Sequence, residues 1–170
     1  MGQEALGYLT GYEDSTFKPG DYEYDILGVS QSFNDVNYDT TKENTQYLPS
    51  LVRAIPGVYY SDSLAGWVSE NNVDSLLYDP PGIFGSQNWM DQFTPRDDIN
   101  SDVWITGFSY DGIERPIAQN YFHSSGSEIV FFSFDPLALN TDSIWIGNST
   151  INPLYQFLKY HNIRPASVEK

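Results

Sequence analysis

The sequence predicts an α/β domain whose sheet is parallel in its first half and gains antiparallel strands toward the C-terminus. Three observations carry this expectation. Strand-length apolar runs alternate with helix-spaced ones through the first half. Aromatic and β-branched runs between Val103 and Phe134 are separated by short glycine turns. One amphipathic helix with its own cap begins at Asn152. The competing expectation is an all-β sandwich, supported by the abundance of Tyr, Thr, Ser and Asn and by the aromatic strands.

Taken in order, residues 24–30 form the first strand candidate, followed by a long polar loop from Asn34 to Asn44. Tyr47, Leu48, Leu51, Val52 and Ile55 recur at helical spacing, with Pro56-Gly57 as a stop, so a helix is expected there. Residues 57–60 read as a second strand, Ser63 to Val68 as a short capped helix, and residues 74–78 as a third strand. The stretch from Gly82 to Asp102 is the least regular and reads as an insertion or lid. Residues 103–108, 117–122 and 128–134 then form an antiparallel meander, with turns at Asp111-Gly112 and Ser125-Gly126. Asn152 caps the last helix, Pro153 takes its first position, and Leu154, Phe157, Leu158 and His161 share its apolar face. Residues 1–165 are expected to fold as one unit, with 166–170 as a disordered tail.

Charge and composition restrict function more than any motif does. The 170 residues contain no Cys, two His and eight Lys plus Arg against 23 Asp plus Glu, a formal charge of −15. Thiolate chemistry loses its residue, and a nucleic-acid partner is not expected because phosphate recognition depends on clustered cations. No apolar run is long enough to span a membrane, so membrane insertion is not expected either. Charged residues are only 18% of the chain and aromatics 16%. Polarity therefore rests on neutral side chains, a composition that points to a secreted, cell-surface or virion protein.

Two segments carry family resemblances. Pro116-Ile117-Ala118, the Ser125-Gly126 turn, Glu128 to Pro136 and the helix from Asn152 resemble the closing strand pair and helix of class I glutamine amidotransferase-like domains. That resemblance covers the last third of the chain and implies a three-layer, flavodoxin-like fold. The family's enzymes use a Cys nucleophile, which this chain lacks, so a non-catalytic member is implied. Gly11 to Pro19 is similar to the Gly-Tyr-x-Asp-Gly-Thr-Phe-x-Pro core of surface-layer homology repeats, with Ser15 in place of the second Gly.

Candidate sites follow from spacing. Asp35, Asn37 and Asp39 place oxygen ligands at alternate positions as calcium loops do, making calcium the one candidate cofactor, although a solvated loop explains the same pattern. Asp97, Asp98, Asn100 and Asp102 form a second acidic cluster, read as a solvated loop. Gly107 to Gly112 is one residue too long for a nucleophile elbow, and only His123 and His161 could serve a triad. Asp79 and Asp135 each follow a predicted strand and precede Pro, so they could face one crevice together with Ser32, as a carboxylate glycosidase pair would. Trp89 and Trp145 lie near polar loops and are candidate sugar-stacking platforms, whereas Trp104 alternates as a core strand residue does. Asn148-Ser149-Thr150 matches a glycosylation sequon.

These features lead to the expectation of a non-catalytic binding or structural module at a cell exterior, with a glycan or another protein domain as partner. A carboxylate-dependent glycoside hydrolase and a virion structural protein are the alternatives.

Overall fold

The structure is a computed structural model that describes residues 13–34, 36, 50–71, 75–78, 90–136, 139–141, 144–145 and 151–162. Strands are β1 (Ser15–Thr16), β2 (Val29–Phe33), β3 (Ser50–Ala54), β4 (Leu76–Tyr78), β5 (Gln92–Pro95), β6 (Ser101–Phe108), β7 (Glu114–Phe122), β8 (Glu128–Phe132), β9 (Leu139–Thr141) and β10 (Ile144–Trp145). Helices are α1 (Tyr22–Asp25), α2 (Tyr59–Glu70) and α3 (Pro153–Tyr160).

The strands form a three-stranded sheet, β1-β2-β5, and a seven-stranded sheet, β10-β9-β4-β3-β6-β7-β8. Every pairing is antiparallel. The parallel flavodoxin-like sheet expected from the sequence is therefore wrong, and so is the α/β class; the molecule is mainly β and fits the all-β alternative. The decisive segment is 50–54. Its apolar residues have a helical spacing, yet Ser50, Val52 and Ala54 are buried while Leu51 and Arg53 point outward, a period of two. With a strand there instead of a crossover helix, the connection that a parallel pair requires is gone. The Pro56-Gly57 break is real, but it separates β3 from α2, with Gly57 at φ 84° and its N–H held by the Asp62 carboxylate at 2.7 Å. Residues 57–60, expected as a strand, supply that turn and the start of α2. The strand expected over residues 24–30 begins only at Val29, as β2, because residues 22–25 turn into α1.

The meander is as expected. β6 to β7 turns through Gly112 and β7 to β8 through Gly126, each at φ 84°. Residues 117–121 of β7 are all buried because this strand is covered on both faces. Gln119 and Tyr121 reach the 26–28 segment beside the small sheet. Asn120, between them, faces α2 and α3, where its Oδ1 accepts from Trp104 Nε1 at 2.6 Å. The small sheet closes on the large one through Leu27, Val29, Phe93 and Phe131, the last two with ring centroids 5.3 Å apart. On the opposite face Trp104, fully buried, packs on Tyr60, Phe132 and Phe157.

Helix α3 forms where the sequence places it. Asn152 Oδ1 accepts from Leu154 N at 2.9 Å and Pro153 opens the first turn. Leu154, Phe157 and Leu158 are half-buried rather than fully buried, while Pro153 and Gln156 are covered. A short helix packed against α2 and Trp104 divides its apolar face between core and solvent.

Candidate functional site

A cleft of about 820 Å³ opens between the end of α1, the turn from β5 to β6, and the end of β7. That volume lies within the range of small-molecule sites. Asp25, Ile26, Arg96, Asp98, Ile99, Asn100, Tyr121, Phe122, His123 and Ser124 line it.

Arg96 organises the wall. Its Nε and one terminal nitrogen donate to the two Asp98 carboxylate oxygens, both at 2.8 Å, and the other terminal nitrogen donates to Tyr24 O at 3.0 Å. The guanidinium also lies over the Tyr24 ring, 4.4 Å from its centroid. A bidentate fork of this kind fixes both partners in one plane. The hydrogen bond from Arg96 holds the Asp98 carboxyl below its ordinary range.

Opposite, the Tyr121 hydroxyl donates to Ile26 O at 2.6 Å, and burial is the first cause of its raised pKa. Gly28 makes this possible. It sits at φ 71°, and a Cβ there would stand 2.6 Å from Tyr121 Cε1 and 2.8 Å from Ile99 Cδ1. Asp25 accepts from Gly20 N at 3.1 Å, which folds the loop before α1 onto the helix end.

At the rim, His123 Nδ1 accepts from the Ser125 backbone N–H at 3.1 Å, so the neutral ring carries its proton on Nε2. The Ser125 hydroxyl lies 2.9 Å from the same Nδ1. This Ser–His contact is internal to a turn, and the nitrogen a catalytic base would use already holds a backbone proton donor. Phe122 is 70% exposed, the most exposed large apolar side chain described. The wall thus combines carboxylates, an amide and an imidazole N–H with apolar surface, a set suited to holding a polyhydroxylated ligand.

A second polar cluster lies under α3. Glu128 accepts from Tyr60 at 2.9 Å and from Asn120 Nδ2 at 2.8 Å, and His161 Nε2 is 3.0 Å from its other oxygen. Its partners are all internal, and its carboxylate is only 13% exposed. It binds helix to sheet.

The residues singled out in the sequence do not converge here. Ser32, a candidate ligand residue, is 1% exposed in the middle strand of the small sheet. Asp135 follows β8, and its backbone N–H donates to the Tyr78 hydroxyl at 3.3 Å. Trp145 lies in β10, paired with Asn140. Asp79, Trp89, the Asp35-Asn37-Asp39 loop and the Asn148 sequon lie outside the described residues. Among the described residues no group of three or more His, Asp or Glu could hold a metal, and no helix is long and apolar enough to cross a membrane. Sequence reasoning grouped Asp98 and Asn100 with an acidic loop, weighed His123 only as a triad histidine, and missed Arg96, Asp25 and Tyr121. The available signal was Arg96 itself, one of eight basic residues in the chain and two positions before Asp98.

Compared with protein-family models, curated proteins and solved structures, the chain matches none.

Proposed function

We propose that the chain is a non-catalytic saccharide-binding module of a secreted or cell-surface protein, with the cleft beside Arg96 as its binding site. The observation that carries this reading is the lining, in which Asp25, Asp98, Asn100 and His123 are interleaved with Ile26, Ile99, Tyr121 and Phe122. Saccharides present hydroxyls at their edges and C–H groups on their faces, so they need both kinds of surface side by side. The stacking role expected of Trp89 and Trp145 passes to Phe122. The exterior location rests on composition.

Binding is favoured over hydrolysis by the state of Asp98. A glycosidase acid needs a carboxyl whose pKa is raised, whereas Arg96 holds this one down.

Titration calorimetry with a panel of oligosaccharides tests the reading. Phe122→Ala and Asp98→Ala are each expected to weaken binding at least about tenfold, with circular dichroism unchanged. If the wild-type chain binds no saccharide, or if both variants bind as the wild type does, the cleft is not a saccharide site.

A further inference from the structure

We infer that the cleft selects saccharides bearing a free amine and rejects acidic ones. This inference rests on the saccharide-binding reading above. A lone arginine in a cleft of a strongly acidic protein would ordinarily suggest an anionic ligand. Here Arg96 is part of the wall: three of its nitrogens are bonded to Asp98 and Tyr24 O, and one face lies on the Tyr24 ring. An anion would have to displace Asp98, whose carboxylate the fork already matches.

The remaining charge is negative. Two carboxylates, Asp25 and Asp98, face one guanidinium in the lining, and the whole chain stands at −15. The described groups that could add positive charge near the cleft are few: the imidazole of His123 is in the lining, with its Nδ1 accepting from Ser125 N, and Lys18 belongs to the loop before α1, where its backbone N–H donates to Asp21. Asp25 accepts a hydrogen bond from Gly20 N, and the residue is half-buried at the cleft wall. A protonated amine would pair with this carboxylate, and the exposed Phe122 ring offers a further cation-attracting face. The field of the whole chain draws cations inward and repels uronic acids, an effect that weakens with salt.

The test compares three trisaccharides by calorimetry at about pH 7, above the ordinary imidazole range and below that of an α-amine: glucosamine, N-acetylglucosamine and galacturonic acid. The free-amine trisaccharide is expected to bind at least about tenfold tighter than the acetylated one, with the galacturonate undetected. That preference should shrink in high sodium chloride. It should also fall in Asp25→Asn, which keeps the acceptor for Gly20 N and removes the charge, and in Asp98→Asn as a second variant. Equal binding of the amine and acetylated sugars overturns the inference and leaves the saccharide site standing; so does galacturonate binding as tight as the amine. Amine binding unchanged in both Asn variants overturns it as well, because the attraction would then belong to the whole chain and not the cleft. If none of the three binds while another oligosaccharide of the panel does, the inference fails and the saccharide site stands; if nothing in the panel binds, the saccharide reading itself fails.

Discussion

Tyr60 in α2 donates its hydroxyl proton to Glu128 Oε1 in β8 across 2.9 Å, joining elements 68 residues apart in the chain. Because that proton is committed to Glu128, both oxygens beside His161 Nε2 are acceptors: Glu128 Oε2 at 3.0 Å and the Tyr60 hydroxyl at 3.3 Å. The imidazole must therefore carry hydrogen on Nε2. With Asn120 donating to the same carboxylate and accepting from Trp104, five residues from α2, β6, β7, β8 and the end of α3 form one connected polar network.

Glu128→Ala should consequently destabilise the protein far more than an exposed carboxylate would. It leaves the Asn120 amide and Tyr60 hydroxyl without their acceptor in a largely buried place, and breaking a buried pair typically costs about 3 kcal/mol. Glu128→Gln retains shape and one acceptor, so its loss should be smaller. Urea denaturation measures both. A change below about 1 kcal/mol for Glu128→Ala, the range of surface pairs, would mean that the network does not hold α3 to the sheet.

The same geometry sets an alkaline limit. Burial first, and then the Glu128 hydrogen bond and charge, raise the Tyr60 pKa well above its ordinary 10.0. The fold favours the protonated phenol, so this contribution is whole below pH 10 and is lost as pH rises above the unfolded value toward the folded one. Tyr121 is raised in the same direction by burial. Stability should therefore fall from about pH 10 upward, and Tyr60→Phe should flatten that fall without abolishing it. An unchanged slope in Tyr60→Phe would show that Tyr60 ionises as freely as an exposed tyrosine.

How much of this was readable in the sequence depended on whether the signal was local. The meander and α3 were legible because an Asp-Gly turn, a Ser-Gly turn and an Asn-Pro cap specify their geometry within a few residues. Residues 50–54 were not. Ser50 and Ala54 are too small to mark a buried face, so Leu51 and Val52 dominated the pattern and suggested a helix; the pairing with β4 and β6 that makes the segment a strand comes from residues 22 or more positions away. The cleft was illegible for the same reason. Asp25, Arg96 and Tyr121 are brought together by the docking of the small sheet on β7, and no sequence period records that.

Ser32 illustrates the difference between a polar residue and a site. Its hydroxyl is buried within β2 and has no hydrogen-bond partner among the described residues. Leaving such a group unpaired costs about 1–3 kcal/mol, so Ser32→Ala should leave the thermal midpoint unchanged or raise it. A clear drop in the midpoint would indicate that the hydroxyl has a structural or ligand-binding role.

Gly28 is the residue on which the cleft depends most directly without presenting any side chain to it. At φ 71° a Cβ is strained, and the added methyl would overlap Tyr121 and Ile99 at 2.6 and 2.8 Å. Both neighbours line the cleft, and Tyr121 is anchored by its bond to Ile26 O. Relief requires one of two movements: either the 26–28 segment shifts, disturbing Gln119 Nε2, which donates to Leu27 O and Gly28 O, or Tyr121 leaves Ile26 and swings into the cleft. Positive-φ strain together with overpacking costs about 2 kcal/mol or more, so Gly28→Ala should unfold at lower urea. In the folded fraction it should also bind saccharide more weakly than Ser32→Ala, whose change lies in β2, the strand that follows Gly28, and away from the cleft lining. Equal binding by the two variants would detach the cleft's shape from Gly28, and with it the account of how docking of the small sheet creates the site.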